Sequence, residues 1–167
     1  NTWTITWDAN DGTITSTNHS AGEVTYGTAL VAATAERTGW TFTGWNPQVP
    51  ETMPDHDLNF VATWVEKGDI DYTVEHYTEN LDGTWKLALT ENLKGATNAS
   101  VTPAVKNYPG FKAPTPQTAT ILADGSLLIR YEYTRNSYTL TYDLDGGSVA
   151  GEYSQGPLKF EAPITAP

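Results

Sequence analysis

Histidine side chains are the groups of this chain best suited to proton transfer or metal binding, and the sequence has three: His19, His56 and His76. Asp55 and Asp57 flank His56, and two carboxylates beside an imidazole could bind a metal ion or hold the ring as a general base. A polar loop before a strand explains these residues more simply, so we assign neither role. His76 falls at a strand position that is aromatic in the other copies of a repeat described below, which predicts a packed ring with hydrogen-bonded nitrogens.

Two acidic segments mimic the opening of a calcium-binding loop. They are the series Asp8, Asn10, Gly12 and the series Asp143, Asp145, Gly147. An EF-hand loop needs a glutamate at its twelfth position, where this sequence has His19 and Ser154. Asn, Asp and Gly residues after a strand are typical of a tight turn, because they accept a positive φ angle. We therefore predict hairpin turns and no metal site.

No pattern in the sequence predicts a catalytic residue or a cofactor. Acidic pairs such as Asp69 and Asp71 are common in so acidic a chain, and nothing places two carboxylates in an apolar cleft that would tune one as an acid and the other as a base. The sequence has neither G-x-S-x-G nor a phosphate-binding glycine loop. We therefore expect no enzyme activity.

Tryptophan offers the remaining candidate site, because an exposed indole ring can stack on a sugar. Trp85 follows an Asp-Gly turn and is the ring most expected at the surface, which makes it the one candidate ligand-binding residue. Core or cross-strand packing is still the favoured interpretation of Trp85. The other five tryptophans occur in strand patterns and are predicted core residues: Trp3, Trp7, Trp40, Trp45 and Trp64.

Charge and composition narrow the class of protein. The 167 residues include 20 acidic and 9 basic side chains, a net charge of −11, and such a surface repels nucleic acid and anionic membranes. No apolar run reaches the roughly 18–20 residues of a membrane-spanning helix, and no cysteine is present for disulfides or thiolate sites. The chain starts at Asn1 without Met, and we interpret it as a fragment whose targeting signals lie outside it.

The chain contains an internal repeat. The segment W-T-I-T-W-D-A-N-D-G-T from Trp3 returns as Y-T-L-T-Y-D-L-D-G-G-S from Tyr138, and a looser copy, Y-T-V-E-H-Y-T-E-N-L-D-G-T, starts at Tyr72. The spacings are 69 and 66 residues. In each copy aromatic and β-branched residues alternate with others at period 2, which is the pattern of a half-buried strand.

Each of the first two copies predicts the order strand, strand, short helix, strand, strand. Second strands are expected near residues 23–26, 85–90 and 158–160, helical turns at 28–36 and 100–107, a third strand at 40–44, and closing strands at 58–64 and 126–133. This order predicts an α+β fold with units at residues 1–68 and 71–135 and an incomplete unit at 138–167. The linkers, residues 66–71 and 134–137, are short and polar, which predicts a semi-rigid string.

Residues 1–66 resemble the Listeria–Bacteroides repeat, the B-repeat of internalin-type surface proteins. The resemblance rests on R-T-G-W-T-F-T-G-W at residues 37–45 and on T-M-P-D-H-D-L-N-F-V-A-T-W at residues 52–64. Asp11 replaces the first glycine of the family's usual turn, and Trp40 replaces its usual tyrosine. Residues 138–167 resemble the first half of another such repeat.

Residues 72–133 are similar to a different family, the mucin-binding-protein-like (MucBP) repeat. The similarity rests on Y-T-V-E-H-Y-T-E-N-L-D-G-T-W, on Y-P-G-F at residues 108–111 and on the closing strand. Both resemblances imply tandem β-grasp, ubiquitin-like units. They also imply a large exported protein of a Gram-positive bacterium, extracellular at the cell surface or attached to the cell wall.

Three functions are expected from these resemblances. The first is an extracellular stalk or spacer with an adhesive role. The second is a module that binds host glycoprotein or mucin glycan, and the third is a set of accessory repeats in a large secreted glycan-active enzyme. Neighbouring repeats of the same chain are expected partners. Because an isolated hairpin is marginal in water, we expect residues 138–167 to pack on the second unit or to pair or swap strands with another molecule.

Overall fold

The structure is a computed structural model that describes residues 1–149 and 151–166. In chain order its strands are β1 (Thr2–Asp8), β2 (Thr13–Ile14), β3 (Gly22–Thr25), β4 (Ala35–Glu36), β5 (Trp40–Asn46), β6 (Leu58–Glu66), β7 (Ile70–Glu79), β8 (Trp85–Gly95), β9 (Ser100–Val101), β10 (Phe111–Lys112), β11 (Ala119–Thr120), β12 (Leu128–Arg135), β13 (Ser137–Leu140) and β14 (Gly156–Lys159). The chain divides into two compact units. The first comprises Asn1–Asp71, Lys94–Ala99 and Thr120–Ser126, and the second comprises Tyr72–Leu93, Ser100–Ala119 and Leu127–Pro167.

The prediction of an α+β fold with one short helix in each unit is wrong, because the described residues form strands, turns and extended segments and no helix. In the first predicted helix, residues 28–36, the Thr28 carbonyl accepts the N–H of Met53 and the Leu30 N–H donates to Glu51, both at 2.9 Å. These bonds to another segment replace the i to i−4 bonds of a helix. The stretch T-A-L-V-A-A-T-A-E contains three β-branched residues, which lower its helix propensity.

The second predicted helix, residues 100–107, is also extended. Its first residues form β9, which pairs with β11 in a two-stranded sheet, and Pro103 is buried. Proline lacks a backbone N–H and disfavours the helical conformation of the residue before it. The helical layer that a β-grasp unit requires is therefore missing from the described residues, and the β-grasp assignment fails with it.

The main sheet of the first unit has the strand order β3-β1-β6-β5. Strands β1 and β6 lie parallel at its centre, with Ile5 opposite Leu58 and Trp7 opposite Phe60. Strands β3 and β5 pair antiparallel on either side of them. Buried and exposed residues alternate along most of β6, as the period-2 pattern of the sequence predicts for a sheet with one face on a core.

One face of this sheet carries the core of the first unit. Its centre is Ile5, Met53, Leu58 and Phe60, each at most 7% exposed. Trp7 stacks on Phe60 with ring centroids 4.4 Å apart, and Trp45 meets Trp7 edge-on at 4.7 Å. Trp3 packs against the same cluster. Three of the five tryptophans predicted as core residues therefore pack on the core.

The main sheet of the second unit has the order β10-β12-β7-β8. Its central strands β7 and β12 are again parallel, with Val74 opposite Ile129 and His76 opposite Tyr131. The buried side chains of these strands include Val74, His76, Ile129, Tyr131 and Tyr133, each at most 3% exposed. Both units thus have two parallel central strands, as expected for copies of one sequence repeat.

Strands β13 and β14 form an antiparallel hairpin within the second unit. Phe160, directly after β14, meets Phe111 edge-on at 5.9 Å, and the Arg135 guanidinium donates to the Phe160 carbonyl at 2.6 Å. Lys159 Nζ lies 2.5 Å from Glu79 Oε1. These contacts give the hairpin packing partners that an isolated hairpin lacks. Pairing or swapping with another molecule remains a prediction.

Candidate functional site

Trp85, the candidate ligand-binding residue, begins β8 and is half-buried. It borders a groove of about 340 Å³ in the second unit, which is also lined by Pro114, Gln117, Arg130, Glu132 and Thr134. Along β12 the groove residues alternate with buried Ile129, Tyr131 and Tyr133. The pleat of β12 therefore turns one set of side chains toward the core and the other set toward the groove.

A charged and aromatic group lies on the groove side of the sheet. The guanidinium carbon of Arg130 is 4.0 Å from the centroid of the Tyr77 ring, and Arg130 Nε is 3.0 Å from Glu132 Oε1. The Tyr77 hydroxyl donates to Glu75 Oε2 at 2.8 Å, and this hydrogen bond raises the pKa of Tyr77. The arrangement fixes the guanidinium between a ring and a carboxylate.

The chemistry of this groove suits binding. Indole and phenol rings can pack on the apolar face of a sugar, while the guanidinium donates and the carboxylates accept hydrogen bonds. A volume of about 340 Å³ lies at the lower end of the range for small-ligand sites. Glu132 is partly exposed and paired with Arg130.

The first unit has a larger groove, of about 1220 Å³, which sequence reasoning missed. Its aromatic wall is Trp40, Phe42 and Trp64. The guanidinium carbon of Arg37 lies 4.4 Å from the Trp40 ring centroid, and its Nη2 is 3.4 Å from Asp11 Oδ2. Phe42 and Trp64 meet edge-on at 5.3 Å.

The reason for the miss is that a groove wall and a core face have the same sequence pattern. Trp40 and Trp64 were predicted as core residues, yet both are half-buried beside the groove. Alternation along a strand identifies a common face but not what covers it. The one independent signal is Arg37 just before the aromatic strand, because a guanidinium must remain hydrated or paired.

The three histidines have different surroundings. His76 is fully buried, with Nδ1 at 2.9 Å from the Tyr133 hydroxyl and Nε2 at 2.9 Å from Glu91 Oε2. It is therefore a packed, hydrogen-bonded ring. His19 meets Trp7 edge-on at 5.9 Å, and the exposed His56 has Nδ1 3.4 Å from Asp55 Oδ1.

The two calcium-like series form turns capped by their own first carboxylates. Asp8 Oδ1 accepts the N–H of Asn10 at 2.8 Å, and Asp143 Oδ1 accepts the N–H of Asp145 at 3.0 Å. Asn10 and Asp145 have φ angles of 48° and 45°, the positive values predicted for the turns. The first turn is not the predicted hairpin turn, because the strand that follows it, β2, pairs with β4 and not with β1.

The remaining acidic candidates have simple partners. Asp71 Oδ1 lies 2.8 Å from Lys94 Nζ, and the same ammonium donates to the carbonyl of Asp69. Within residues 1–149 and 151–166 no three His, Asp or Glu side chains lie close enough together to hold a metal ion. None of the described residues form a helix long and apolar enough to cross a membrane.

Comparison with known proteins concerns mainly the first unit. No curated protein and no solved structure matches this chain. Residues 3–71 match the family model of the Listeria-Bacteroides repeat domain, and this match indicates an extracellular repeat module of a bacterial surface protein.

Proposed function

We propose that the chain is a stalk segment with an adhesive role in a bacterial cell-surface protein, in which tandem repeats hold a distal domain away from the cell. The family match of residues 3–71 supports the surface location. The observation that carries the stalk role is that both sequence linkers are hydrogen bonded through their backbones.

The first linker is bonded on both sides of one residue. The N–H of Lys67 donates to the Gly39 carbonyl at 3.0 Å, and the Lys67 carbonyl accepts the N–H of Thr97 at 2.9 Å. The Thr97 hydroxyl also donates to the Gly39 carbonyl, at 2.6 Å, and Thr97 is only 1% exposed. All three residues belong to the first compact unit.

The second linker repeats this arrangement in the second compact unit. The N–H of Asn136 donates to the Gly110 carbonyl at 2.9 Å, and the Asn136 carbonyl accepts the N–H of Phe160 at 2.8 Å. A linker bonded in this way opens only when its local contacts break, whereas a flexible linker samples many conformations freely. The net charge of −11 would also keep such a stalk from adhering to an anionic cell wall.

Trypsin tests the stiffness of the linker, because a cleavage site follows Lys67. We expect slow cleavage after Lys67 in the intact chain and faster cleavage in Thr97→Ala, which lacks the buried hydroxyl. Thr43→Ala is the matched control, since the exposed Thr43 hydroxyl bonds only to the neighbouring strand, at Thr63. Cleavage of the unaltered linker at the rate of an unfolded peptide would rule out a stiff stalk.

A glycan-binding module is the second candidate function, and the Trp85 groove favours it. Its ligand would be a host glycoprotein or mucin glycan whose sugar stacks on Trp85 and bonds to Arg130 and Glu132. Saturable binding on a glycan array, lost in Trp85→Ala and kept in Tyr138→Ala, would support this function. Tyr138 is 54% exposed and lies outside the groove. If the unaltered chain does not bind glycan at millimolar concentration, the stalk role is the remaining candidate function.

Three finer assignments remain proposals that rest on sequence resemblance. They are the MucBP-like character of residues 72–133, attachment to the cell wall of a Gram-positive bacterium, and accessory repeats within a secreted glycan-active enzyme. A chain without catalytic activity of its own is compatible with each of them. The acidic charge disfavours nucleic acid and anionic membrane as partners.

A further inference from the structure

The first strand pair of each repeat is followed by a residue that makes a similar backbone hydrogen bond. Tyr26, Thr97 and Phe160, here called the tip residues, follow β3, β8 and β14 closely. Each donates its backbone N–H to a residue ahead of the opening strand. Tyr26 donates to Asn1 at 3.1 Å and Phe160 to Asn136 at 2.8 Å, directly before β1 and β13, and Thr97 donates at 2.9 Å to Lys67, three residues before β7. Tyr26 and Phe160 therefore occupy the same rung of two equivalent ladders, and Thr97 makes a bond of the same kind further outside the start of β7.

The turn after each tip residue is also the same. The residue that follows the tip has a positive φ in all three repeats: 78° at Gly27, 61° at Asn98 and 63° at Glu161. A hydrogen bond of 2.9–3.1 Å then closes each turn, donated by Thr28 to Thr25, by Ala99 to Ala96 and by Ala162 to Lys159. A positive φ is unusual for glutamate, so the shared conformation reflects the repeat architecture rather than the local residue type.

Two of the tip residues, Thr97 and Phe160, contact a glycine turn of the preceding repeat. The turns are residues 37–40 and 108–111, closed by bonds of 3.0 Å from Trp40 to Arg37 and from Phe111 to Tyr108. Gly39 and Gly110 have φ angles of 77° and 82°, as expected at the third position of a type II turn. Their carbonyls accept the linker N–H groups of Lys67 and Asn136.

Neither Gly39 nor Gly110 has room for a side chain. A Cβ atom on Gly110 would lie 2.2 Å from a ring carbon of Phe160. On Gly39 it would lie 2.5 Å from the Cβ of Ala123, while the Thr97 hydroxyl bonds to the Gly39 carbonyl. The glycine turn and the linker residue together form a socket for the next tip.

Tyr26 is the third tip residue, and it is 62% exposed. Thr97 is 1% exposed at its glycine turn, and Phe160 is half-buried on Gly110. We propose that Tyr26 is a docking residue that packs on the glycine turn of another repeat of this kind, as Phe160 packs on Gly110. The partner is a turn such as Y-P-G-F at residues 108–111. Its glycine carbonyl would accept a hydrogen bond from the backbone nitrogen of Asn1, as the Gly110 carbonyl accepts one from Asn136. This inference rests on the repeat geometry and does not depend on the stalk role.

The first test asks whether the socket accepts a tyrosine. In the full chain, F160Y should unfold at the same urea concentration as the unaltered chain, whereas Phe160→Ala should unfold at a lower one. Hydroxyl-radical footprinting should show the ring introduced by F160Y to be severalfold less reactive than Tyr26. If F160Y destabilises the chain as much as Phe160→Ala does, the socket cannot accept the Tyr26 ring and the proposal fails.

The second test offers Tyr26 a socket. Residues 70–135 are added before Asn1 of the full chain, so that Asn1 follows a copy of Arg135 as Asn136 does. We expect the radical reactivity of Tyr26 to fall severalfold, while Tyr138, 54% exposed, is unchanged. Gly110→Val in the added copy should restore the reactivity of Tyr26. The valine side chain would fill the socket, and valine disfavours the positive φ angle of Gly110.

Three results would overturn the proposal. Tyr26 could stay as reactive in the extended chain as in the original chain. Its protection could persist with Gly110→Val in the added copy, which would show that the socket is not responsible. Alternatively, mucin oligosaccharide could protect Tyr26 in the unextended chain, which would make the ring a sugar platform.

Discussion

Nε2 of His76 lies 2.9 Å from Oε2 of Glu91, and the imidazole is fully buried. The other oxygen of the same carboxylate, Oε1, accepts from Lys106 Nζ at 2.7 Å. The Lys106 hydrogen bond, followed by that of His76, lowers the pKa of Glu91 below its ordinary value of 4.5. One carboxylate thus joins the buried ring of β7 to a lysine in the extended segment that follows β9.

Acid should weaken the second unit through this carboxylate. Because the pKa of Glu91 is lower in the folded chain than in the unfolded chain, the unfolded chain binds more protons below pH 4.5. The stabilisation is complete above the unfolded pKa and is lost as the pH falls through the folded one. Urea unfolding at a series of pH values should show a decline in the free energy of unfolding that begins near pH 4.5.

Glu91→Gln isolates this contribution. We expect it to lower the free energy of unfolding at neutral pH by about 1–2 kcal/mol and to flatten the decline in acid. Part of the decline should remain, because hydrogen bonds also lower the pKa values of Glu79, Asp82 and Asp124. Glu23→Gln, at an exposed carboxylate on β3, is the control. An acid response of Glu91→Gln identical to that of the unaltered chain would contradict the assignment.

Replacement of the buried imidazole should be costly. His76→Phe keeps an aromatic ring but removes the contacts with Glu91 and with the Tyr133 hydroxyl, so we expect a loss of about 2–4 kcal/mol in the free energy of unfolding. Tyr133→Phe removes a hydroxyl that also accepts the Lys106 N–H at 2.7 Å. The double variant, measured by urea unfolding, should lose less than the sum of the single losses. Strict additivity would show that the two rings are not coupled.

Most strands of the two main sheets could be predicted, because alternation of apolar and polar residues is a local property. The predicted strands at residues 58–64 and 85–90 correspond to the observed Leu58–Glu66 and Trp85–Gly95. The predicted helices failed because their outcome depends on distant partners. The Ala-rich residues 28–36 bond to residues 51–53, and composition carries no information about that contact.

The site was less accessible from the sequence than the fold. The local Asp-Gly turn before Trp85 placed this ring beside a groove, and its role as a ligand-binding residue stays a prediction. The group around Tyr77 and Arg130 could not be predicted, because it forms between β7 and β12, whose parallel register joins residues about 55 positions apart. The docking role proposed for Tyr26 could be inferred only from the positions of Thr97 and Phe160 in the folded chain.

Gly12 should tolerate no side chain, because a Cβ atom there would lie 2.6 Å from Cζ2 of Trp64 and 2.8 Å from the carbonyl oxygen of Glu36. The second neighbour is backbone and cannot rotate away. Gly12→Ala should therefore lower the free energy of unfolding by about 2 kcal/mol, measured by urea unfolding. Gly68→Ala is the matched control, since nothing lies within 4 Å of its Cβ position. Equal stabilities of the two variants would contradict the close contact.

Arg135 should decide whether the β13–β14 hairpin is ordered. Its side chain is 11% exposed, and its guanidinium donates to the carbonyls of Glu79 and Phe160 at 2.7 and 2.6 Å and to Glu161 Oε2 at 2.8 Å. Arg135→Met keeps an apolar stem but removes these bonds. A two-stranded hairpin is marginal without such support, so amide hydrogen exchange in β13 and β14 should accelerate while β7 and β12 stay protected.

Arg130→Met is the matched control for this experiment. Arg130 lies on the same strand but on the groove face, is 45% exposed, and pairs with Glu132. Its loss should leave exchange in the hairpin unchanged. Retained protection of β13 and β14 in Arg135→Met would show that the edge contact of Phe160 with Phe111 and the Lys159–Glu79 ion pair suffice. Arg130 pairs with Glu132 and stacks on Tyr77, and neither of these residues belongs to the hairpin. Accelerated exchange of the hairpin amides in both variants would therefore indicate a general loss of stability in the second unit.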